Sequence, residues 1–316
     1  MRLEFLYKNF LKMTNLVQNH RGQAFPSITM DDALLQFKTG IENAIVTGGG
    51  RAKISLIRSQ NGIKLIHNAI KTELVNLGIH PSLINPSKKQ LKRAINPTAY
   101  SKPYKLYDKE RKLAGYIKTK DQDISIIPSN IPIHPTTLSY PTNLNGYYDL
   151  YGDLLTESIL TINVRSQLSS TNKNYDTMYE RTFAEPLNLH LRCPKMVLGE
   201  LYIFMLNEYN SNEVKQKRVV FDKMPPKTIE KYIKSFQAVN SRPNTTTDDY
   251  KYERCCLLLV DFNRSIPKIY GDTQTLIQDG FLPATTTVNM SNLSYTEFEQ
   301  DLLDIYTSRF PANTFT

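Results

Sequence analysis

Cysteine is scarce in this chain. Cys193, Cys255 and Cys256 are the three in 316 residues. An odd count with two adjacent members argues against a disulfide framework, and the lack of a CxxC pair argues against structural zinc. Glycine (13) and proline (17) are too few for a collagen-like or low-complexity chain. No apolar run approaches the ~18 residues of a membrane-spanning helix, so no membrane partner is expected. The opening Met1-Arg2-Leu3-Glu4-Phe5 contains an acid and soon meets Lys8 and Lys12, so it does not read as a signal peptide. A soluble, cytoplasmic protein of a reducing compartment is expected.

The chain does have apolar material for a sizeable core, at 40% hydrophobic residues, and a net charge of +9. The excess is local. Residues 88–120 hold eleven bases against Asp108 and Glu110, and the rest of the chain is balanced. Tyr100, Tyr104, Tyr107 and Tyr116 lie among those bases. Such a segment suits a polyanion, because lysine and arginine neutralise phosphates and tyrosines stack on bases. Lys88, Lys89, Lys92, Arg93, Lys118 and Lys120 are the candidate DNA contacts. The plainer reading is a solvated basic surface.

Thr29 and Asp32 mark a helix start, with Leu34, Leu35, Phe37, Ile41 and Ile45 at helical spacing and Gly48-Gly49-Gly50 as its stop. Asn61 caps a second helix carrying Ile63, Ile66, Ile70, Leu74 and Leu77, stopped at Gly78. Ser87 and Gln90 have capping-box spacing for a short basic helix. The first 110 residues therefore read as a helical, basic part packed on a core at 111–316. In that core, Asp123–Ile127 reads as a strand, followed by a proline-rich loop through Pro128, Pro132, Pro135 and Pro141. Leu160–Gln167 alternates on a strand period. Residues 172–184 read as a helix that Pro186 ends or kinks near Glu185. Met196–Met205 is a buried strand, 228–239 a helix and Cys255–Val260 a further strand. A last helix begins near Ser294 or Thr296. The alternation predicts an α/β fold with a mixed central sheet flanked by helices and an α-rich N-terminal part.

The densest polar group lies in 147–200. Asp149, Asp153 and Glu157 precede the strand 160–167, on which Asn163, Arg165 and Gln167 share one face and Ile162, Val164 and Ser166 the other. The next helix offers Asp176 and Glu180 at i, i+4 spacing, then Glu185. Metal-assisted phosphodiester hydrolysis uses such a set. Mg²⁺ takes a few hard oxygen ligands and keeps several waters, and a nearby cation stabilises developing charge.

The run Gly152-Asp153, nine residues, Asn163-Val164-Arg165, then a helix with Glu180, resembles the PD-(D/E)XK core of type II restriction endonucleases. The stretch from Tyr147 to Phe204, preceded by residues 115–124, is similar to restriction enzymes of this kind. The likeness spans residues 110–210. It implies a restriction-endonuclease-like sheet and Mg²⁺-dependent, sequence-specific hydrolysis of double-stranded DNA by a homodimer, with a cognate DNA methyltransferase as genetic partner. On this resemblance Asp153, Arg165, Gln167 and Glu180 are catalytic, and Asp153, Asn163 and Glu180 hold the metal. The sequence departs from the family pattern in reading Gly-Asp for Pro-Asp and Asn-Val-Arg for (D/E)xK. Arginine does not replace lysine freely. Glu185 is the substitute for Glu180, and an alternative register uses Asp121 or Asp123 with Lys118 or Lys120. Arg165 has an alternative structural reading as an ion-pair partner of Glu180, while Glu200 reads as a surface or partner contact and His190 as packing or a DNA contact. A non-catalytic DNA-binding protein using the 88–120 segment is the competing function.

Overall fold

The computed structural model describes residues 25–87, 110–168 and 175–311. Lys88, Lys89, Lys92, Arg93 and the Gln90 end of the capping box lie outside the described residues. Helix α1 (Met30–Arg58) starts where the Thr29 hydroxyl accepts from the Asp32 backbone N–H, as the spacing predicts. The triple glycine does not end it. Gly49 takes a φ of 63° and kinks the helix, which resumes to Arg58. A Cβ at Gly49 would stand 3.2 Å from the Val214 carbonyl oxygen, so this glycine permits a bend against a neighbour. Helix α2 (Asn61–Asn76) follows a tight corner. Asn61 is its first helical residue, not its cap; Gln60 occupies the cap position in a left-handed conformation. Gly78, at φ 96°, follows its end.

The remaining elements are β1 (Ile84–Asn85), the hairpin β2 (Arg111–Ala114) and β3 (Thr119–Gln122), β4 (Ile124–Ile126), β5 (Thr136–Thr137), β6 (Tyr148–Asp149), α3 (Gly152–Glu157) and β7 (Leu160–Gln167). Then come α4 (Tyr175–His190), β8 (Val197–Met205), β9 (Asn207–Tyr209), α5 (Ser211–Lys215), β10 (Phe221–Lys223) and α6 (Pro226–Val239). The chain continues through β11 (Arg254–Asp261), β12 (Lys268–Tyr270), α7 (Thr273–Gln278) and α8 (Phe298–Arg309). The main sheet runs β1-β4-β7-β8-β11-β12. Strand β4 is antiparallel to β1 and β7, while β7, β8 and β11 run parallel, joined across α4 and α6. Strand β12 closes the far edge antiparallel to β11. This is the mixed α/β sheet with flanking helices that the alternation predicts.

Two cores cover its faces. On one, Leu34 of α1, Ile66 of α2 and Leu302 of α8 pack with Ile162, Leu201 and Leu258. The described part of the N-terminal 110 residues thus shares a core with the sheet. On the other, Met178 of α4 and Tyr232 of α6 pack with Leu198, Tyr202 and Leu257.

Helix α4 does not end near Glu185. It continues through Pro186 to His190. The reason is tertiary. Pro186, Asn188, Leu189 and His190 are buried, and Asn188 fastens the β2–β3 turn. Its Oδ1 accepts from the backbone N–H of Ile117 (2.8 Å) and Lys118 (3.0 Å), and its Nδ2 donates to the Lys118 carbonyl (3.0 Å). These contacts outweigh the roughly 3 kcal/mol local cost of an interior proline.

Helix α8 starts at Phe298, later than expected, and buries Glu299 at 2% exposure. Burial raises the Glu299 pKa to about 8, with Tyr295 donating to it. A carboxyl raised in the folded state retains its proton there, so its stability contribution is full below about pH 4.5 and is lost as pH rises through about 8. The melting temperature of the native chain is expected to fall relative to Glu299→Gln across that window, reaching a difference of several degrees at pH 8.5. Parallel melting curves from pH 5 to 8.5 would show instead that Glu299 does not titrate on folding.

Candidate active site

Strand β7 places alternate side chains on opposite faces. Ile162 and Val164 enter the core shared with α1 and α2, so Asn163 and Arg165 face the α4 side. There the parallel register sets Asn163 opposite Glu200 and Arg165 opposite Tyr202 on β8. Helix α4, extended through Pro186, brings Glu185 down onto the same face. The Arg165 guanidinium bonds the Glu185 carboxylate, and its Nε lies 3.2 Å from Glu200 Oε1. Lys120 of β3 reaches the same Glu185 oxygen at 3.0 Å, because Asn188, one turn on from Glu185, holds the hairpin against α4.

The other side of the cluster comes from β4. That strand begins at Ile124, paired with Ile162, so β7 beyond Asn163 has no β4 residue alongside it. Asp123 fills the vacancy in the ladder with its side chain. Its Oδ2 accepts from the Val164 N–H at 2.7 Å, and its own N–H donates to Asn163 Oδ1 at 3.1 Å. The Asn163 amide then donates to Gln122 Oε1 and to Glu185 Oε1, both at 2.9 Å. Asn163 is thus committed to three internal hydrogen bonds and positions Asp123 and Glu185 relative to one another, in place of the open ligand position expected of it. Gln167 accepts from the Tyr202 hydroxyl at 3.2 Å. A cavity of about 540 Å³ opens at this point, and Asp123, Arg165 and Gln167 line it.

Three carboxylates, Asp123, Glu185 and Glu200, face two cations, Lys120 and Arg165. Burial, more than this imbalance, sets their protonation. Glu200 is wholly buried, and neither of its carboxylate oxygens has a hydrogen-bond partner among the described residues. Burial, with Glu185 and Asp123 nearby, pushes its pKa up to about 8 against the pull of Arg165. Burial likewise raises Asp123 to about 6, opposed by its bond from Val164. Burial works against the Arg165 charge, but Glu200, Tyr252, Glu185 and Asp123 hold it above the usual arginine range.

Asp153 and Glu180 do not join this cluster. Asp153 lies in the first turn of α3 and takes two bonds from Arg192, from Nε at 3.0 Å and Nη2 at 2.7 Å. Arg192 also bonds Asp149 at 2.6 Å and the Ala114 carbonyl at 2.7 Å. Asp153 is therefore part of an ion network that ties α3 to the end of α4. Glu180 lies on the exposed face of α4, five residues from Glu185, and helical spacing turns the two apart. Arg165 accordingly pairs with Glu185 and Glu200, not Glu180. His190 is packed, with ring nitrogens 3.0 Å from the Asp249 carbonyl and 3.2 Å from that of Met196. Lys118 is exposed beside the hairpin turn. Of the alternative register, Asp123 and Lys120 are the members that reach the cluster.

The Arg192 network carries a stability prediction. Asp149→Ala removes a buried partner and is expected to cost about 2–4 kcal/mol. Asp153→Ala, whose side chain is 63% exposed, should cost under about 1 kcal/mol. Urea unfolding of both variants checks the order; equal losses would make Asp153 an anchor of the same rank.

Glu200 is the residue that sequence reasoning misplaced, as a surface contact. Its signal was present: one acid within the apolar run Val197-Leu-Gly-Glu-Leu-Tyr-Ile-Phe204 is an acid inside a buried strand, and such a group needs a partner. Among the described residues, no three histidine, cysteine, aspartate or glutamate side chains stand in ligand geometry for one metal ion. No helix among them is long and apolar enough to cross a membrane. In comparisons with protein-family models, with curated proteins and with solved structures, nothing matches this chain.

Proposed function

We propose that the chain is a Mg²⁺-dependent endonuclease acting on double-stranded DNA, of the type II restriction class, with its active site at Asp123, Glu185, Glu200, Arg165 and Lys120. The observation that carries this reading is the convergence of three carboxylates and two cations from β3, β7, α4, β8 and the residue before β4; two of these side chains, Asp123 and Arg165, line the cavity. The order of strands agrees with it: an antiparallel pair, β4 and β7, leads through a helical crossover to a parallel β8. That order supports the restriction-endonuclease-like arrangement implied by the sequence resemblance, and on this reading Asp123 takes the place of the PD aspartate and Glu185, on the following helix, is the migrated acid.

The donor set suits Mg²⁺. That ion needs one or two carboxylates and retains its waters, and Asp123 with Glu185 or Glu200 would hold it. The Glu200 oxygens accept no hydrogen bond among the described residues, and burial raises the Glu200 and Asp123 pKa values, a cost that coordination of a divalent ion would offset. When bound, the metal supplies polarisation of the scissile phosphate and a lowered pKa for water. The chain's own groups do the rest. Asn163 fixes the two acids relative to one another. Lys120, half-buried beside Glu185, neutralises phosphate charge, and Arg165 sets the field of the site. Gln167, at the cavity, orients the strand. A two-fold assembly on a symmetric site, and a methyltransferase encoded alongside, accompany this reading.

The Arg165 guanidinium between Glu185 and Glu200 favours a second reading, in which the cluster is an internal ion network of a non-catalytic DNA-binding protein. Incubation with phage DNA and Mg²⁺, and then with EDTA, separates them. Discrete fragments that vanish with EDTA are expected. Salt-sensitive binding without cutting would establish the second reading instead.

A further inference from the structure

The cavity beside the cluster has a second wall that hydrolysis leaves unused. Besides Asp123 and Arg165 it is lined by the α1–α2 corner, with Gln60, Ile63 and His67, and by the exposed Arg181 of α4. His67 is 7% exposed, and its Nε2 has no hydrogen-bond partner among the described residues. Leaving a buried nitrogen unpaired costs about 1–3 kcal/mol, so an unpaired one on a residue that lines a cavity points to a ligand that pairs it. Burial, helped by Lys71 and Lys64, pushes the His67 pKa down to about 3. The ring is therefore neutral near pH 7 and offers a hydrogen bond without charge. Gln60, in its left-handed conformation at φ 60°, is a strained residue in the same wall.

The size limits the occupant. A volume of about 540 Å³ falls within the roughly 300–1,000 Å³ of small-ligand pockets. It excludes a double helix and admits one nucleotide. The lining offers both kinds of group that a nucleotide needs. Two guanidinium groups, Arg165 and Arg181, serve a phosphate, while the neutral imidazole, the Gln60 amide and the apolar Ile63 serve a base. Resting on the nuclease reading of Asp123 and Arg165, we propose that this cavity receives one unpaired nucleotide of the DNA substrate, its base against His67 and its phosphate toward Arg165 and Arg181.

Calorimetric titration of the full chain with each of the four deoxynucleoside 5′-monophosphates, in EDTA, tests this without cleavage. At least one is expected to saturate, with its nucleoside and inorganic phosphate each binding at least tenfold more weakly. His67→Ala should weaken that nucleotide about tenfold and Arg181→Ala about fivefold, whereas His67→Gln, which keeps a neutral donor and acceptor, should lose less than threefold. No saturation by any of the four up to about 5 mM, or inorganic phosphate binding as tightly as the nucleotide, overturns the proposal. So does unchanged affinity in both His67→Ala and Arg181→Ala. A chain that binds the nucleotide in this pattern but cuts no DNA keeps the pocket and removes the hydrolytic reading. A chain that cuts DNA but binds no nucleotide does the reverse.

Discussion

Asp123→Asn is expected to lower Mg²⁺-dependent cleavage of duplex DNA about 100- to 1,000-fold, with the fold and DNA binding intact. The substitution is nearly isosteric. Its amide oxygen still accepts from the Val164 N–H, which the native Oδ2 does at 2.7 Å, so the β4–β7 junction is preserved. What is lost is the charge beside the cavity. Glu185→Gln should lose a similar factor, and it also leaves Lys120 and Arg165 without the anion they share. Asp153→Asn and Glu180→Gln, whose side chains stand outside the cluster, should lose less than about threefold. Single-turnover cleavage at saturating protein, beside a binding assay in EDTA, separates chemistry from affinity. A loss in Asp153→Asn or Glu180→Gln as deep as in Asp123→Asn would return the carboxylate role to those residues.

The second large effect falls on stability. Gly152→Ala is expected to destabilise the chain by about 3–5 kcal/mol, a strained positive φ adding to overpacking. Gly152 holds a φ of 70°, and a Cβ there would lie 1.8 Å from the His134 backbone carbonyl oxygen and 2.8 Å from its carbon. A flexible side chain gives way at small cost, but this contact is backbone against backbone, at the start of α3. Gly146→Ala is the comparison. It has a φ of 78° but no atom within 4 Å of the added Cβ, so it should cost only about 1–2 kcal/mol, the strain of a left-handed backbone alone. Equal losses in urea unfolding would mean that the His134 segment moves aside freely. The result bears on the motif as well. Gly152, which the sequence resemblance reads in the place of a proline, is explained by this close approach, and the aspartate after it by Arg192.

The sequence was legible where a local rule has one outcome. Alternation on 160–167 put Asn163 and Arg165 on one face, and the structure places Ile162 and Val164 in the opposite core. The apolar runs at 196–205 and 255–260 are the central parallel strands β8 and β11. The Thr29–Asp32 cap starts α1 as its spacing predicts. Local rules failed where a neighbour supplied what they do not count. Gly48-Gly49-Gly50 reads as a stop because glycine is a poor helix former, yet only Gly49 departs from the helix, and packing carries α1 onward. Pro186 reads as an end, yet Asn188 and its buried neighbours hold the following turn. That single extension places Glu185 over β7.

The order of residues, then, determined an α/β chain whose positive charge is concentrated at 88–120 and whose β7 carries a polar face. It also supplied more acids than one site can use: Asp121, Asp123, Asp149, Asp153, Asp176, Glu180, Glu185 and Glu200. Only the tertiary structure selected among them. Selection depended on the antiparallel offset that leaves β7 open past Asn163, on the parallel register that sets Glu200 opposite Asn163, and on the helical rotation that turns Glu185 inward and Glu180 outward. The first two are relations between segments far apart along the chain, and the third takes effect only where α4 packs on the sheet. Their energy lies in strand pairing and in the burial of charge against charge, and neither exists until the segments meet.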